Sequence, residues 1–526
     1  MKKLLALLLA VVMVVACVGC GSSSSSGDEE TLKWALTSDI TALDPAFAYD
    51  GPTMIVVLQI TEGILELTPE AELVPRLAES WNQVDEVTYV YKVRQNVNFS
   101  DGTPMTMEDV LYSLDRYRDP ELASYLSWMY DNVESIEQTG DWEFTVKLYE
   151  ADATWQYVFA TAAGHVVKKD YCEEKGDTFG TPTGGIIGTG VYKLDHWTVG
   201  SEVVLVYNEN YWDPEYKDPD FKRIECPVIV EDTTRASALT SGQTDLDLMI
   251  PGSLYEQVAA SDKVNVEIKP SNNTVLLAMN CDKIPVEVRR AIACAIDKES
   301  IGSTIVKEAG TMANMLPNGE SLFTFDEESW KAYSAKAQNY EYNMEQAAAY
   351  MAESEYANGM ELSLLVDESN MNNQIALTIQ QSLAQIGITV SIEKATQDEV
   401  IAMEFGDQID ENGQRPYDLA IFEWEADWPD PSGNIMGIFN SAYIGEGGTN
   451  FVSYANEQVD EYLNLQAASM DESVRTENLQ KAMDIIIDEV PLVPILYSNY
   501  LSAYGEKIQE FDFITWCYFV KNMKHR

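Results

Sequence analysis

The residues best equipped for chemistry crowd into one run: Tyr417-Asp418-Leu419-Ala420-Ile421-Phe422-Glu423-Trp424-Glu425-Ala426-Asp427-Trp428-Pro429-Asp430-Pro431. Leu419 to Phe422 are apolar and β-favouring, so the run opens as a buried strand. Pro429 and Pro431 then break it into a turn. At that break stand Glu423, Glu425, Asp427 and Asp430 with Trp424 and Trp428. A strand that delivers acids and aromatics into a loop is where proteins commonly place a binding site. The plainer reading is a solvated acidic loop.

Other chemistries leave little trace. The histidines are His165, His196 and His525, and none lies in a His-Glu-x-x-His helix. No Gly-x-Ser-x-Gly elbow occurs. With 86 Asp and Glu, carboxylate pairs abound but no specific pair stands out, so a hydrolase is disfavoured. Cys172, Cys226, Cys281, Cys294 and Cys517 are odd in number, widely spaced and without Cys-x-x-Cys. Buried free thiols are expected, with no disulfide framework, metal site or cofactor. Gly184, Gly185, Gly188 and Gly190 form a glycine-rich loop. The third glycine of a dinucleotide fingerprint is missing, and Val191-Tyr192-Lys193-Leu194 reads as strand, so it does not cradle phosphate.

The elements that must position the acidic run fall into two groups. A chain of 526 residues exceeds one ordinary core. Before Lys269-Pro270, strands predominate: Thr31 to Leu36, Ile64 to Leu67, Val87 to Val93, Trp142 to Leu148, Val203 to Tyr207, Ile224 to Val230 and Asp245 to Met249. Helices are expected over Ile55 to Ile60, from an N-cap at Thr106 to about Tyr117, and over Asp232 to Leu239. After Pro270 the pattern becomes β-α-β. Strands are expected at Thr274 to Met279, Glu361 to Val366 and Ile388 to Ile392, with helices at Val286 to Ile296, Met344 to Met351, Asn373 to Ile386, Val459 to Leu465 and Arg475 to Ile487. Pro491 to Ile495 reads as extended, and Phe511 to Val520 as a final strand carrying Trp516.

Net charge is −52, which repels phosphate backbones and excludes a nucleic-acid partner. Lys2 and Lys3 precede an apolar run, Leu4 to Ala16. That run is shorter than the roughly 20 residues a membrane-spanning helix needs and reads as a secretory signal. Val14-Val15-Ala16-Cys17 and Cys17-Val18-Gly19-Cys20 both resemble the bacterial lipoprotein cleavage box, leaving Cys20 or Cys17 as the lipid anchor. Ser22 to Ser26 and Gly27-Asp28-Glu29-Glu30 follow as a polar tether.

Several motifs fall in one family's order. They are Leu43-Asp44-Pro45, Leu77-Ala78-Glu79-Ser80-Trp81, Phe99-Ser100-Asp101-Gly102-Thr103-Pro104-Met105-Thr106-Met107-Glu108-Asp109-Val110 and Gly188-Thr189-Gly190-Val191-Tyr192-Lys193-Leu194. Asn208-Glu209-Asn210-Tyr211-Trp212, Val288-Arg289-Arg290-Ala291-Ile292, Tyr417-Asp418-Leu419 with Ala426-Asp427, and Val490-Pro491-Leu492-Val493-Pro494 complete the series. The chain resembles the extracellular solute-binding proteins of family 5, which serve peptide and nickel ABC importers. The resemblance implies an α/β, two-lobed periplasmic-binding-protein-like clamp of class II, with an extra subdomain inserted in the first lobe. The implied division is a signal peptide over 1–19, a tether over 20–30, and a first lobe over 31–270 with its insertion at about 60–185. A second lobe spans 271–487, and 488–526 returns to the first. The implied hinge strands cross near Lys269 to Thr274 and Ile487 to Ile495, and the lobes close around ligand.

By the same resemblance Asp427 meets the ligand's α-amino group. Trp424 and Glu425 flank it, and the Tyr49-Asp50-Gly51 loop meets the peptide from the first lobe. Dipeptide binders of the family carry an arginine, and some oligopeptide binders a histidine, just before the helix matching Asn373 to Ile386. Here Val366-Asp367-Glu368-Ser369-Asn370-Met371-Asn372-Asn373-Gln374 holds no cation. A longer peptide with a loosely held C-terminus, or a cationic ligand, fits better than a strict dipeptide. The expected protein is a monomeric, lipid-anchored, non-enzymatic binding protein on the extracytoplasmic face of the cell membrane. It would deliver oligopeptides to an ABC permease and its ATPase. The alternatives are a nickel or other metal chelate, an opine-like compound or an oligosaccharide as ligand, and then an extracellular enzyme or adhesin. Among the run's other acids, Glu423, Asp418 and Asp430 are expected to serve structure or face solvent.

Overall fold

The computed structural model describes residues 30–316, 327–337, 340–404, 409, 415–445 and 447–526. The apolar leader, Cys17, Cys20 and the serine tether lie outside the described residues. Two long antiparallel strands, Val264–Met279 and Leu492–Gly505, form the spine of the molecule. At one end Leu501 and Ala503 join a small core with Ala236, Leu239, Ile250 and Val258. At the other end the same two strands sit inside a seven-stranded sheet. Their pairing is irregular between Pro270 and Thr274, where Pro270 supplies no N–H to the ladder.

The sheet runs in the order Leu246–Asp247, Leu492–Gly505, Val264–Met279, Leu419–Trp424, Met360–Val366, Ile388–Lys394, and Gly310–Met312 adds to the edge of Leu492–Gly505. Met360–Val366 is parallel to both Leu419–Trp424 and Ile388–Lys394, and Asn370–Ala384 is the helix of one crossover. Side chains alternate across the strands with period two. Val275, Leu277, Met279, Leu419 and Ile421 enter one core, while Leu276, Ala278, Ala420 and Phe422 enter the core on the opposite face. That alternation decides which way the acids after Phe422 point.

The first lobe holds two four-stranded sheets over one continuous core. One runs Thr31–Lys33, Arg223–Pro227, Glu202–Tyr207, Tyr192–Thr198, and the other, fully antiparallel, Ala78–Asp85, Thr88–Val93, Glu143–Leu148, Val133–Gly140. Thr106 caps the helix Met107–Tyr117 in a reciprocal box: Asp109 N donates to Thr106 Oγ1 at 3.2 Å and Thr106 N to Asp109 Oδ2 at 2.9 Å. The glycine-rich loop has a packing role. A Cβ at Gly188 or Gly190 would fall on the carbonyl oxygens of Ile60 or Gln59, so only glycine lets this loop close on the helix Gly51–Ile60.

Several expectations change. Phe511 to Val520 forms no strand. It is an irregular segment with an isolated bridge between Ile514 and Cys517, and Trp516 at φ 67° turns the chain there. The strand expected to reach Val230 ends at Pro227, and that expected over Asp245 to Met249 is only Leu246–Asp247. The helix expected from Asn373 starts three residues earlier, because Ser369 caps it, and ends at Ala384. The five cysteines are free, four of them buried.

Candidate functional site

The strand Leu419–Trp424 runs on past the end of its parallel neighbour Met360–Val366, at the C-terminal edge of the sheet, where open α/β sheets form a crevice. Period two carries Glu423 and Glu425 onto the face of Ile421, and Trp424 onto the face of Phe422. Trp424 is half-buried against the second-lobe core, its ring 5.7 Å from that of Phe451. Its Nε1 has no partner among the described residues.

The loop from Glu425 to Asp430 is fixed at its far end. Asp430 caps the helix Pro431–Phe439 through Ser432 N at 2.9 Å, and Arg475 holds both of its oxygens at 2.8 Å. Asp418 is similarly occupied, accepting from Ser363 N at 2.8 Å and pairing with Lys283 at 3.4 Å. Trp428 packs against the first-lobe core and lies against Trp128, ring centroids 6.1 Å apart. Ala153 N donates to Ala467 O at 3.2 Å across the same divide. The lobes therefore touch, and the acids of the loop lie between them.

Of the six residues singled out from the sequence, three converge. The Tyr49 phenol faces the Asp427 carboxylate as a loose donor, and Asp427, Glu404 and Glu425 together hold the phenol's pKa up, with burial adding to the effect. Glu425 accepts from Tyr500 Oη at 2.7 Å and from Thr515 Oγ1. Tyr49 is 44% exposed and Glu425 is also reached by solvent, yet both are ringed by protein atoms, as on the walls of a narrow cleft. Burial pushes Asp427 up to about 7, Glu425 adds to the rise, and Tyr49 opposes it. Glu425 is likewise raised, by burial first and by Glu423. No cation acts on Asp427 or Glu425 among the described residues. An ionised carboxylate in such a setting favours any positive group that can reach it.

The other three sit differently. Asp50 spends its carboxylate on the cap of Gly51–Ile60, accepting from Thr53 N at 2.9 Å, and on Thr41 Oγ1 at 3.2 Å. The sequence Asp50-Gly51-Pro52-Thr53 carries that signal, an acid before a proline in the first helical turn. A Cβ on Gly51 would meet open space. Gly51 and Pro52 border a cavity of about 440 Å³, open mouth included, lined by Trp34, Ile55, Leu248 and Phe513 and closed by Tyr500 and Tyr518. That cavity adjoins the Glu425 contacts. Another of similar size, around Lys298 and Met483, is away from these carboxylates.

Two further participants stand outside those six. Glu404 ends the helix Gln397–Glu404, far along the chain from the acidic run, and is pushed up to about 8 by burial and by Glu423, with Arg415 opposing. Glu423, expected to serve structure or solvent, takes hydrogen bonds from Asn273 Nδ2 at 3.0 Å and Asn372 Nδ2 at 3.3 Å. At the start of Asn370–Ala384, where a cation is missing from the sequence, the structure gathers Asp367, Asn372 and Glu423.

Residues 72–446 match the family described as bacterial extracellular solute-binding proteins, family 5 Middle. The chain is 27% identical over 489 residues to the Escherichia coli (strain K12) protein named "Probable D,D-dipeptide-binding periplasmic protein DdpA", covering 90% of each chain. It is 27% identical over 493 residues to the glutathione-binding protein GsiB of the same strain, covering 91% of each. Among solved structures it is similar to the periplasmic binding protein DppA of Helicobacter pylori in complex with the peptide STSA. The identity there is 22% and the TM-score 0.78, over 94% of this chain and 98% of that one. The fold is the two-lobed α/β clamp.

Proposed function

The chain belongs to family 5 of the bacterial extracellular solute-binding proteins, and from that membership we propose that it captures oligopeptides between its lobes and passes them to an ABC permease and ATPase. It binds its ligand without transforming it. The observation that carries this reading is Asp427, a carboxylate enclosed between the lobes with no facing cation. The α-ammonium of a peptide supplies the missing charge, and a charge-assisted hydrogen bond there contributes about 1.5–3 kcal/mol. The main chain beside it supports a peptide over a neutral sugar. Met360–Val366 pairs with the strand only at Leu419 and Ala420, so among the described residues the edge of Ile421–Trp424 is open to an added strand. Tyr49 closes the amino end from the first lobe. Trp424 and Glu425 border the backbone, and the Asp50 and Gly51 turn holds Tyr49 in place.

The same reading makes the protein monomeric and lipid-anchored through Cys20 or Cys17 on the extracytoplasmic face of the cell membrane. The division into lobes over 31–270 and 271–487, with 488–526 returning, places the bending at the irregular pairing after Pro270. Ligand favours the closed arrangement because only there do Tyr49 and Asp427 face the same group.

Calorimetry with a peptide mixture tests the proposal. Free-amino peptides are expected to bind, N-acetylated ones to bind at least about tenfold more weakly, and Asp427→Asn to abolish that distinction. Equal binding of acetylated and free peptides removes the amino anchor. A melting temperature raised by a sugar or chelate and by no peptide replaces the ligand class.

A further inference from the structure

Near Glu423 the cleft has a second corner whose hydrogen-bonding inventory is lopsided. Asn372, 1% exposed, donates through Nδ2 to Asp367 Oδ2 at 3.0 Å and to Glu423 Oε1 at 3.3 Å. Those two acceptors fix which end of the amide is nitrogen. Its Oδ1 is then an acceptor, and it has no partner among the described residues. Asn273 repeats the arrangement: Nδ2 donates to Glu423 Oε2 at 3.0 Å, and Oδ1 is left over among the described residues. Glu404, 5% exposed, has an Oε1 with no partner among the described residues, and Glu423 is the charge that acts on it most. Arg415 also acts on Glu404, but its guanidinium donates to the backbone oxygens of Met403, Glu404 and Gly448. The first turn of the adjoining helix is already served: Ser369 N donates to Asp367 and Asn372 N to Ser369 Oγ. The corner thus holds surplus acceptors, and negative charge that grows when an arriving cation draws the proton off Glu404. Buried acceptors left unmade are costly, so what completes the corner is a donor-rich cation.

Building on the peptide reading of Asp427, we propose that Asn273, Asn372, Glu404 and Glu423 form a second subsite that takes a guanidinium or ammonium on the ligand, so that the protein selects ligands with two positive centres. A guanidinium offers five N–H donors in a planar fork, enough to meet the two amide oxygens and a carboxylate together. Three residues of main chain lie between Glu423 and Asp427, a span of at most about 14 Å. The second charge therefore lies on a side chain near the amino end. The corner replaces the carboxylate anchor that a dipeptide binder would place at this helix start, and leaves the ligand's C-terminus outside it.

The probes are short alanine peptides with a free amino terminus, each carrying one arginine or, in its place, citrulline, which keeps the shape and loses the charge. By calorimetry near neutral pH, arginine at its best position is expected to bind at least about tenfold more tightly than citrulline. Glu423→Gln and Glu404→Gln, each checked for an unchanged thermal transition, are expected to bring that ratio to within about twofold while leaving citrulline peptides little affected. Equal binding of arginine and citrulline at every position overturns the subsite, as does failure of every arginine peptide to bind. Retention of the ratio in both variants overturns these residues as its cause. Failure of the amino anchor reads differently: acetylated arginine peptides would bind as well as free ones, with the arginine–citrulline ratio intact.

Discussion

Asp430 lies under Arg475, both oxygens 2.8 Å from the guanidinium, and caps a helix at the same time; Asp427, three residues earlier in the loop, meets a phenol and another carboxylate instead. One acid is finished by the protein's own chain. The other is left to be finished by something else. A buried pair is scaffold, because its removal strands a partner charge. An enclosed acid without a cation lowers stability on its own account and persists where a ligand rewards it. The contrast extends across the lobes. Glu62 is held by Arg76 at 2.7 Å and by Trp212 Nε1 at 2.8 Å, deep in the first lobe, whereas Glu425 on the cleft wall has, among the described residues, only hydroxyl partners.

The strongest way to break the contrast is Asp430→Ala, which leaves Arg475 without its carboxylate. A loss of about 3–5 kcal/mol is expected in denaturant unfolding. A loss below about 1 kcal/mol would make Asp430 no more structural than an exposed acid. Asp427→Asn should do the reverse, leaving the empty protein as stable or more so while weakening peptide binding by at least about tenfold. The pH dependence sharpens the same point. Asp427 holds its proton to about pH 7 in the fold but loses it near 3.8 unfolded, so the folded state binds more protons between those values. Asp427's own contribution to the stability of the empty protein is therefore fully present below that window and declines as pH rises through it. Peptide affinity runs the opposite way, falling as pH drops below about 7, because Asp427 must lose its proton to meet an ammonium. In Asp427→Asn both slopes should flatten, by thermal melts for the first and calorimetry for the second. The smallest expected effect is that of Glu425→Gln. Removing the neighbouring negative charge lowers Asp427's pKa, and the binding midpoint moves to lower pH by less than about one unit.

Asp427 is legible because strand, loop and acid are consecutive and the motif around them is shared with a family. The alternation of Leu419 to Phe422 even fixes the side on which Glu423 and Glu425 emerge. Asp50 is legible as a cap, since its partner Thr53 is three residues on. Glu404 is not legible, because only folding brings the end of Gln397–Glu404 to the acids of another strand. The role of Asn372 is hidden for a related reason. Its neighbourhood shows a missing cation in the sequence, but the carboxylates that replace it come from two separate strands. Phe511 to Val520 misleads because its aromatics have strand propensity, while the surrounding core takes them as irregular filling, with Phe511, Phe513, Trp516 and Tyr518 all buried.

The contact between Trp128 and Trp428 has a practical meaning. Two indoles from opposite lobes, centroids 6.1 Å apart and planes 30° apart, are close enough for their electronic transitions to couple. The closed clamp thus carries an intrinsic optical signature. An exciton couplet in circular dichroism present when the jaws meet, and gone when they part, would let the motion be timed without any attached dye.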